Sequence, residues 1–179
     1  FLGLFILSSM FFWGLQRQNL EIEFTDKTIL LVQPNAPQSE KWNEDLAPVF
    51  FNRMIKSTAE ANKVSLIVWP ESAIYYPLNF ADELVKEISK ASSGIPVAFG
   101  ALRFDENKKL LNSLILHKRD EKQQIYDKSI LVPFGEYLPL SYFLSNLGLS
   151  SMVNSYGAGF TPGHGADLIE VDSDFYFQP

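Results

Sequence analysis

The chain has 179 residues, of which 46% are hydrophobic and 14% aromatic, and its formal net charge is −6. This length is enough for one domain with a buried core, and the negative charge argues against a nucleic-acid partner, because phosphate binding requires clustered Lys and Arg. The absence of Cys and the presence of only two His exclude disulfides and thiol catalysis within these residues and argue against a metal site.

The chain opens with an uncharged apolar run that ends at Arg17. As a helix, this run spans roughly 24 Å, a little less than the ~30 Å hydrocarbon core of a bilayer. Helices that are apolar all round are membrane spans or deeply buried, and Trp13 is placed as an interfacial anchor would be. The pattern predicts a partial transmembrane helix over residues 1–17 and a polar membrane-exit linker over 18–27, with a buried core helix as the alternative. Since the first residue is Phe, we expect the chain to begin inside a longer protein.

From residue 28 onward, apolar strands alternate with amphipathic helices, which is typical of an α/β domain. Predicted strands cover Thr28–Gln33, Val64–Trp69, Ile95–Leu102, Leu110–Leu116, Gln124–Tyr126, Leu168–Val171 and Phe175–Phe177. Predicted helices cover Leu46–Lys63 and Ala81–Ala91. The stretch Leu131–Gly165 has no sustained periodicity, and so long an irregular segment in a compact domain is usually functional.

The segment W-P-E-S-A places a carboxylate, Glu71, directly after an apolar strand and a Pro. Catalytic groups collect at the carboxyl ends of strands in α/β proteins. We expect Glu71 to project from a fixed backbone into low-dielectric surroundings, as general bases often do. On spacing alone, the pattern favours the alternative, a helix N-cap or an ordinary loop acid.

The segment D-K-S-I-L-V-P-F-G-E-Y-L-P contains the second pair of candidate residues. Lys128 lies between a strand and an apolar run, which is an unusual place for a surface Lys, and it could donate to an oxyanion. Glu136 lies in a loop bounded by Pro and Gly and could pair with that Lys. The alternative is a Lys that extends to solvent and a Glu at a loop tip.

A third segment, V-Q-P-N-A-P-Q-S-E-K-W, predicts a rigid loop that ends on Trp42, which either lines a pocket or anchors the loop by packing. Other templates fail: the chain contains no G-x-S-x-G, P-loop or G-x-G-x-x-G motif, so we expect no nucleotide cofactor.

Together these segments resemble the carbon–nitrogen hydrolase (nitrilase) superfamily and, within it, the apolipoprotein N-acyltransferase branch. The matching stretches are W-P-E-S-A, Y-D-K-S-I-L-V-P-F-G-E, V-Q-P-N-A-P-Q-S-E-K-W and F-T-P-G at Phe160–Gly163. The resemblance implies an α/β fold, a nitrilase-like αββα sandwich over residues 28–179. It also implies a Glu-Lys-Cys triad in which Glu71 is the general base, Lys128 is the triad Lys and Glu136 is also catalytic.

The same resemblance assigns Trp42 to the substrate site, and we add Tyr75 and Tyr137 as substrate-binding candidates. The loops Tyr75–Phe80 and Leu138–Leu147 are candidates for lipid contact. The implied partners are a phospholipid acyl donor, a diacylglyceryl lipoprotein acceptor and the bacterial inner membrane, with the catalytic domain facing the periplasm.

The family's nucleophilic Cys would follow a strand like Phe175–Phe177, so we expect this chain to stop short of it and to be inactive alone. Two rival interpretations remain: a soluble nitrilase-type amidase, and a membrane-anchored domain that binds without catalysis.

Overall fold

The structure, a computed structural model, describes residues 1–18, 24–139 and 159–179. Its elements in chain order are α1 (Leu2–Gln18), β1 (Ile29–Leu31), α2 (Ala47–Ala59), β2 (Leu66–Val68), a 3₁₀ turn (Leu78–Phe80), α3 (Asp82–Ser92), β3 (Val97–Phe104), β4 (Leu110–His117), β5 (Gln124–Asp127), β6 (Ile169–Asp172) and β7 (Phe175–Phe177). Most of the proposed lipid-contact loop Leu138–Leu147 and part of the linker lie outside the described residues.

Helix α1 carries no charged residue before Arg17 and has no buried residue. Its last turn carries Arg17, whose guanidinium lies 5.5 Å from the centre of the Trp13 ring. In the described part of the chain, no helix combines the length and apolarity that crossing a bilayer requires. The predicted partial membrane span therefore stays a prediction.

Strands β1 to β5 form one mixed sheet in sequential order. The first three strands are parallel, with Ile29 opposite Leu66 and Ile67 opposite Val97. Strand β4 runs antiparallel to β3, and β5 runs antiparallel to β4. Because two reversals restore the direction, β5 is parallel to β2, and both strands end at the same edge of the sheet.

One face of the sheet packs against α2 and α3. Alternate strand residues point to this face, since the side-chain period of a strand is 2, and they form a buried cluster with the apolar stripes of the helices. Its members include Phe51, Met54, Ile67, Ile88, Val97, Phe99, Ala101 and Ile115. The indole of Trp69 donates a 2.9 Å hydrogen bond to the Thr58 hydroxyl, which satisfies the buried polar atoms of both.

The opposite face of the sheet packs against the antiparallel hairpin of β6 and β7. Ile169 and Val171 of the hairpin join Leu66, Ala98 and Leu116 in a second buried cluster. A helix layer, a sheet and the beginning of a second sheet are thus stacked. The predicted α/β class is confirmed, and the order of layers is that of a nitrilase-like sandwich.

The predicted elements are all present, and their ends move by a few residues. Helix α2 ends at Ala59 rather than Lys63, because Lys63 takes a positive φ of 55° that a helix does not allow. Strand β3 continues two residues beyond the predicted Leu102 because its pairing with β4 extends to Phe104 opposite Leu110.

Candidate functional site

The three candidate catalytic residues, Glu71, Lys128 and Glu136, come together where β2 and β5 end. The loop that follows β2, residues 69–77 (the β2 loop), carries Glu71. The segment that follows β5, residues 128–139 (the β5 loop), begins with Lys128 and carries Glu136. As β2 and β5 end at the same edge, the two loops face each other, and the Lys128 Nζ lies 3.5 Å from the Glu71 Oε1.

The backbone around Glu71 is fixed by Gly100 in β3. The Gly100 N–H donates to the carbonyl of Pro70 (3.2 Å), and the Ala73 N–H donates to the carbonyl of Gly100 (2.7 Å). A Cβ at residue 100 would lie 2.6 Å from both the Glu71 Cα and the Ser72 N. Only glycine allows so close an approach of the loop to the strand.

The Glu71 carboxylate has two polar neighbours. The amide of Asn112 donates a short hydrogen bond to Oε1, the same oxygen that lies near the Lys128 ammonium. The side chain is 60% exposed, so the expectation of low-dielectric surroundings is wrong for the described residues. The physical reason is that the β2 loop turns its carboxylate into an open cleft and keeps its apolar residues Trp69 and Ile74 in the core.

Lys128 forms its stronger ion pair with Glu136, at 2.8 Å between Nζ and Oε1. The predicted pairing is therefore present, and Glu136 is not a loop-tip acid, because its side chain is only 13% exposed. The other carboxylate oxygen of Glu136 accepts the N–H of Val132 at 2.8 Å. Glu136 thus closes its own loop and holds the Lys at the same time.

These contacts change the proton affinities of both groups. The hydrogen bond to Glu136 raises the pKa of Lys128 above its ordinary value of 10.5, against a smaller opposing effect of burial, and the nearby Glu71 charge adds to the rise. Burial acts to raise the pKa of Glu136, but hydrogen bonds from Lys128 and the Val132 N–H outweigh it, and the net pKa lies below 4.5. The pair is ionised at neutral pH.

The backbone of Lys128 is held from two sides. Its N–H donates to the Asn112 carbonyl (2.8 Å), and its own carbonyl accepts the N–H of Gly163 (2.9 Å). A Cβ at residue 163 would lie 2.1 Å from the carbonyl oxygen of Asp127. The F-T-P-G segment therefore fits against the start of the β5 loop only with glycine at that position.

Glu71 and Lys128 line one cleft of about 380 Å³. Its remaining lining residues are Trp69, Gly100, Asn112, Ser113, Leu114, Tyr126 and Pro179. Pro179, two residues after β7, therefore forms part of the same cleft wall as Glu71 and Lys128.

Trp42 and Tyr75 lie together, but in a neighbouring cavity. They line about 430 Å³ with Glu44, Ala47, Pro48 and Tyr76. Lys41 connects this cavity to the cleft: its Nζ donates to the carbonyl of Glu71 at 2.8 Å and lies 5.6 Å from the centre of the Trp42 ring. Burial lowers the pKa of Lys41, against the opposing attraction of Glu71.

Tyr137 lies apart from the other two aromatic candidates. It lines a third, largely apolar cavity of about 520 Å³ with Ser129, Ile130, Leu131, Phe160 and Pro162. The hydroxyls of Tyr126, in the cleft, and Ser129, in this cavity, are 3.2 Å apart, so the two spaces adjoin on the Lys128 side.

Two residues of the site were missed by sequence reasoning. Asn112 is a polar residue in the middle of the predicted strand Leu110–Leu116, and Gly100 interrupts the predicted strand Ile95–Leu102. An isolated Gly in a strand often marks a close backbone approach, and a lone amide among apolar strand residues needs a polar partner. Both signals were available in the sequence.

The arrangement can support acyl chemistry. An exposed carboxylate can take a proton from a nucleophile placed in the cleft, and an ammonium held by a second carboxylate can stabilise a developing oxyanion. The two glutamates differ because both carboxylate oxygens of Glu136 accept hydrogen bonds, whereas both donors to the Glu71 carboxylate meet at its Oε1 and its side chain is 60% exposed to the cleft.

Comparison with known proteins gives a family and a set of relatives. The sequence model of the family described as Carbon-nitrogen hydrolase matches residues 31–173. The chain is 36% identical over 116 residues to an apolipoprotein N-acyltransferase of Aquifex aeolicus (strain VF5), covering 64% of this chain and 26% of that protein. It is 33% identical over 165 residues to an apolipoprotein N-acyltransferase of Brucella suis biovar 1 (strain 1330), covering 84% of this chain and 30% of that protein.

A solved structure of a carbon-nitrogen hydrolase from Helicobacter pylori G27 superimposes with a TM-score of 0.47 at 18% identity, over 80% of this chain and 47% of that one. The chain spans less than a third of the length of each of the two apolipoprotein N-acyltransferases named in the preceding paragraph.

Proposed function

Since this chain belongs to the carbon–nitrogen hydrolase family, we propose that its gene product N-acylates the N-terminal diacylglyceryl-cysteine of bacterial lipoproteins with an acyl chain taken from a phospholipid. The observation that carries the proposal is the ammonium of Lys128, which lies 2.8 Å from Glu136 and 3.5 Å from Glu71 at the edge of an open cleft. The similarity to proteins named apolipoprotein N-acyltransferase supports this reaction over others in the family.

The nucleophile in this proposal is a Cys that follows Pro179. Its support is the position of Pro179 in the wall of the cleft that Glu71 and Lys128 also line. A thiol delivered there is deprotonated by Glu71, because the thiolate is the reactive form.

The reaction has two acyl-transfer steps. In the first, the thiolate attacks the phospholipid ester carbonyl, a C–S bond forms, the ester C–O bond breaks, and the lysophospholipid alkoxide takes the proton from Glu71. In the second, the lipoprotein α-amine attacks the thioester, a C–N bond forms, the C–S bond breaks, and Glu71 accepts the amine proton. In both steps Lys128 stabilises the oxyanion, and Glu136 keeps Lys128 charged and in place.

Substrate contacts follow from the neighbouring cavities. The apolar cavity beside Tyr137 takes part of an acyl chain, and Trp42 and Tyr75 contact the part of the substrate that lies toward the β2 loop. The apolar helix α1 lies at the inner membrane, with the domain on the periplasmic side. Exposed apolar residues of the β5 loop, Ile130 and Phe134, support a lipid-facing orientation for this edge of the domain.

The experiment that tests the proposal traps the acyl-enzyme. The intact gene product is incubated with a phospholipid labelled in its acyl chain, and the thioester is counted after denaturation and cleaved with neutral hydroxylamine. Glu71→Gln should reduce thioester formation by about 10²- to 10⁴-fold, the usual contribution of a general base. The matched control is Glu106→Gln, which alters an exposed turn acid and should leave the yield unchanged. A wild-type protein that forms no thioester, or a Glu71→Gln variant with full yield, would contradict the mechanism.

A further inference from the structure

A second charged cluster lies behind the site, on the helix-covered face of the sheet. It consists of Arg103 on β3, Ser113 on β4 and Asp127 at the end of β5, and Ser113 also borders the cleft. By strand alternation, Arg103 and Ser113 point to the same face as Ala101 and Ile115, which belong to the buried cluster beneath the helices. Asp127 is opposite Ser113 in the register and shares that face.

The carboxylate of Asp127 is held at both oxygens. Its Oδ1 accepts the Arg103 Nε–H at 2.8 Å and the Ser113 hydroxyl at 2.6 Å, and its Oδ2 accepts the Arg103 Nη2–H at 2.5 Å. The side chains are mostly buried, with 23% of Arg103 and 16% of Asp127 exposed. A bidentate Arg–carboxylate pair fixes direction as well as distance.

Two residues of this cluster, Asp127 and Ser113, are each adjacent in the chain to a residue of the site. Asp127 directly precedes Lys128, and Ser113 directly follows Asn112. Because successive strand residues point to opposite faces, fixing Asp127 and Ser113 from behind fixes the directions in which Lys128 and Asn112 leave the sheet. Both of these residues reach the same Oε1 of Glu71.

We propose that Arg103, Asp127 and Ser113 are positioning residues that hold Lys128 and Asn112 in register with Glu71 from the opposite face of the sheet. The activity readout of this inference rests on the proposed function. Its geometric readout, the environment of Lys128, does not.

The location of the cluster favours positioning over stability as its role. Its neighbours Ala101 and Ile115 are fully buried, and an apolar set of similar volume at such a place is often as stable as an ion pair or more so. Apolar side chains make no directional hydrogen bonds, so they would not fix the orientation of Asp127 and Ser113 as the Arg103 pair does. These hydrogen bonds hold the end of β5, where a small displacement would change distances such as the 2.8 Å between Lys128 and Glu136.

The first experiment measures the proton affinity of Lys128 in the intact gene product. Wild type and Asp127→Asn are pulse-labelled with an amine reagent across alkaline pH, and modification of Lys128 is read by peptide mass spectrometry. Because the hydrogen bond to Glu136 raises the pKa of Lys128, a displaced Lys128 should have a lower pKa than in wild type. The lower pKa raises the neutral fraction of the amine, and so the labelling rate of Lys128, by about threefold or more.

Arg103→Lys provides a second, gentler variant that keeps the positive charge but loses the two-pronged contact. It should give a smaller increase in labelling in the same direction. The matched control is Asp172→Asn, which removes one carboxylate from the Lys27 ion pairs, and it should leave Lys128 labelling at the wild-type rate.

The activity measurement separates the two proposals. If thioester formation is observed, Asp127→Asn and Arg103→Lys should lower kcat by about tenfold or more with little change in KM, since misplacement of a reacting group acts on the chemical step. If wild type forms no thioester, the proposed function fails, and the labelling result alone decides the positioning role. Wild-type labelling of Lys128 in both variants, even with a lower Tm, would overturn the inference, because a purely structural cluster predicts that result.

Discussion

The β2 loop and the β5 loop supply the two charges of the candidate site, yet they are held in different ways. The β2 loop is fixed by main-chain hydrogen bonds to Gly100 and by the buried side chains of Trp69 and Ile74. The β5 loop is anchored at its first residue by main-chain hydrogen bonds between Lys128 and both Asn112 and Gly163, and beyond that residue it is held by its own turn and by the carboxylate of Glu136. Its apolar side chains, such as Ile130 and Phe134, are exposed.

In the β2 loop, the candidate catalytic carboxylate and the contacts that fix the loop are different groups. In the β5 loop, the same carboxylate, that of Glu136, serves both purposes. The carboxylate of Glu71 accepts hydrogen bonds from Asn112 and Lys128, which lie outside the β2 loop, so the shape of that loop does not depend on the carboxylate. Glu136 closes its loop and holds Lys128 with the same group. Phe134 also takes a positive φ of 61°, which is costly for a bulky residue, so the β5 loop depends on the Glu136 contacts to keep its shape.

The largest effect should come from removing the fit of the β2 loop against β3. Gly100→Ala places a Cβ 2.6 Å from the backbone of Glu71 and Ser72, so the loop must move. A shift near 1 Å can cost about 10²-fold in rate, and overpacking costs about 1–3 kcal/mol of stability. Thioester yield and Tm measure the two effects.

The control for this variant is Gly14→Ala, because a Cβ at residue 14 would meet no heavy atom within 4 Å apart from its chain neighbours and the backbone of its own helix. It should leave the thioester yield unchanged. A normal yield in Gly100→Ala would mean that the β2 loop is not held as the structure describes.

The next largest effect should be a loss of stability of the β5 loop when Glu136, but not Glu71, is replaced. Glu136→Gln weakens the contacts to Lys128 and the Val132 N–H, and leaving a partly buried partner unsatisfied costs about 1–3 kcal/mol. Hydrogen exchange of the β5 loop should therefore accelerate by about 5- to 100-fold. Glu71→Gln should leave exchange in both loops at the wild-type rate. Equal acceleration in the two variants would remove the distinction between the loops.

The smallest effect is a pH dependence confined to the β5 loop. The pKa of Glu136 is lowered from 4.5, so its stabilising contribution is present above that pH and is lost as the pH falls through the lowered value. The pKa of Lys128 is raised from 10.5, so its contribution is present below that pH and is lost as the pH rises through the raised value. Hydrogen exchange, corrected for its intrinsic pH dependence, should show the β5 loop opening at both extremes.

The same pH series in Glu136→Gln provides the control. The acid step should disappear in that variant, because Glu136 is the only carboxylate within residues 128–139. The β2 loop should show neither step. An acid step that persists in Glu136→Gln would assign the step to another group. Asp127 is one candidate, because burial acts to raise its pKa but hydrogen bonds from Arg103 and Ser113 outweigh burial and lower the pKa from 3.8.

Much of this fold follows from local patterns in the sequence. The apolar runs that became β2 and β3 and the amphipathic stretch that became α3 each carry a periodicity that depends only on neighbours in the chain. The ends of α2 and β3 were less accessible, because a backbone turn at Lys63 and the length of the β4 partner decide them. The existence of elements was predictable, and their limits depended on tertiary pairing.

The candidate site was predictable in composition but not in contacts. Glu71, Lys128 and Glu136 were identified by motif, and the pairing of the last two was expected from their loop. The short contact from Asn112 to Glu71 required the register between β3 and β4, and the exposure of Glu71 required the direction in which the β2 loop turns. Neither the strand register nor the direction of the loop can be predicted from the residues of one segment alone.

Gly100 and Gly163 bear on how sequence variation in this protein should be interpreted. At each position the absence of a side chain lets one backbone segment lie against another. Neither residue contributes a side-chain group that could react or bind. In a saturation mutagenesis screen, these two positions should be as intolerant as the charged residues they support. Their intolerance would extend to alanine, the replacement that most scans use as a neutral reference, so a map of essential positions would outline the scaffold together with the chemistry.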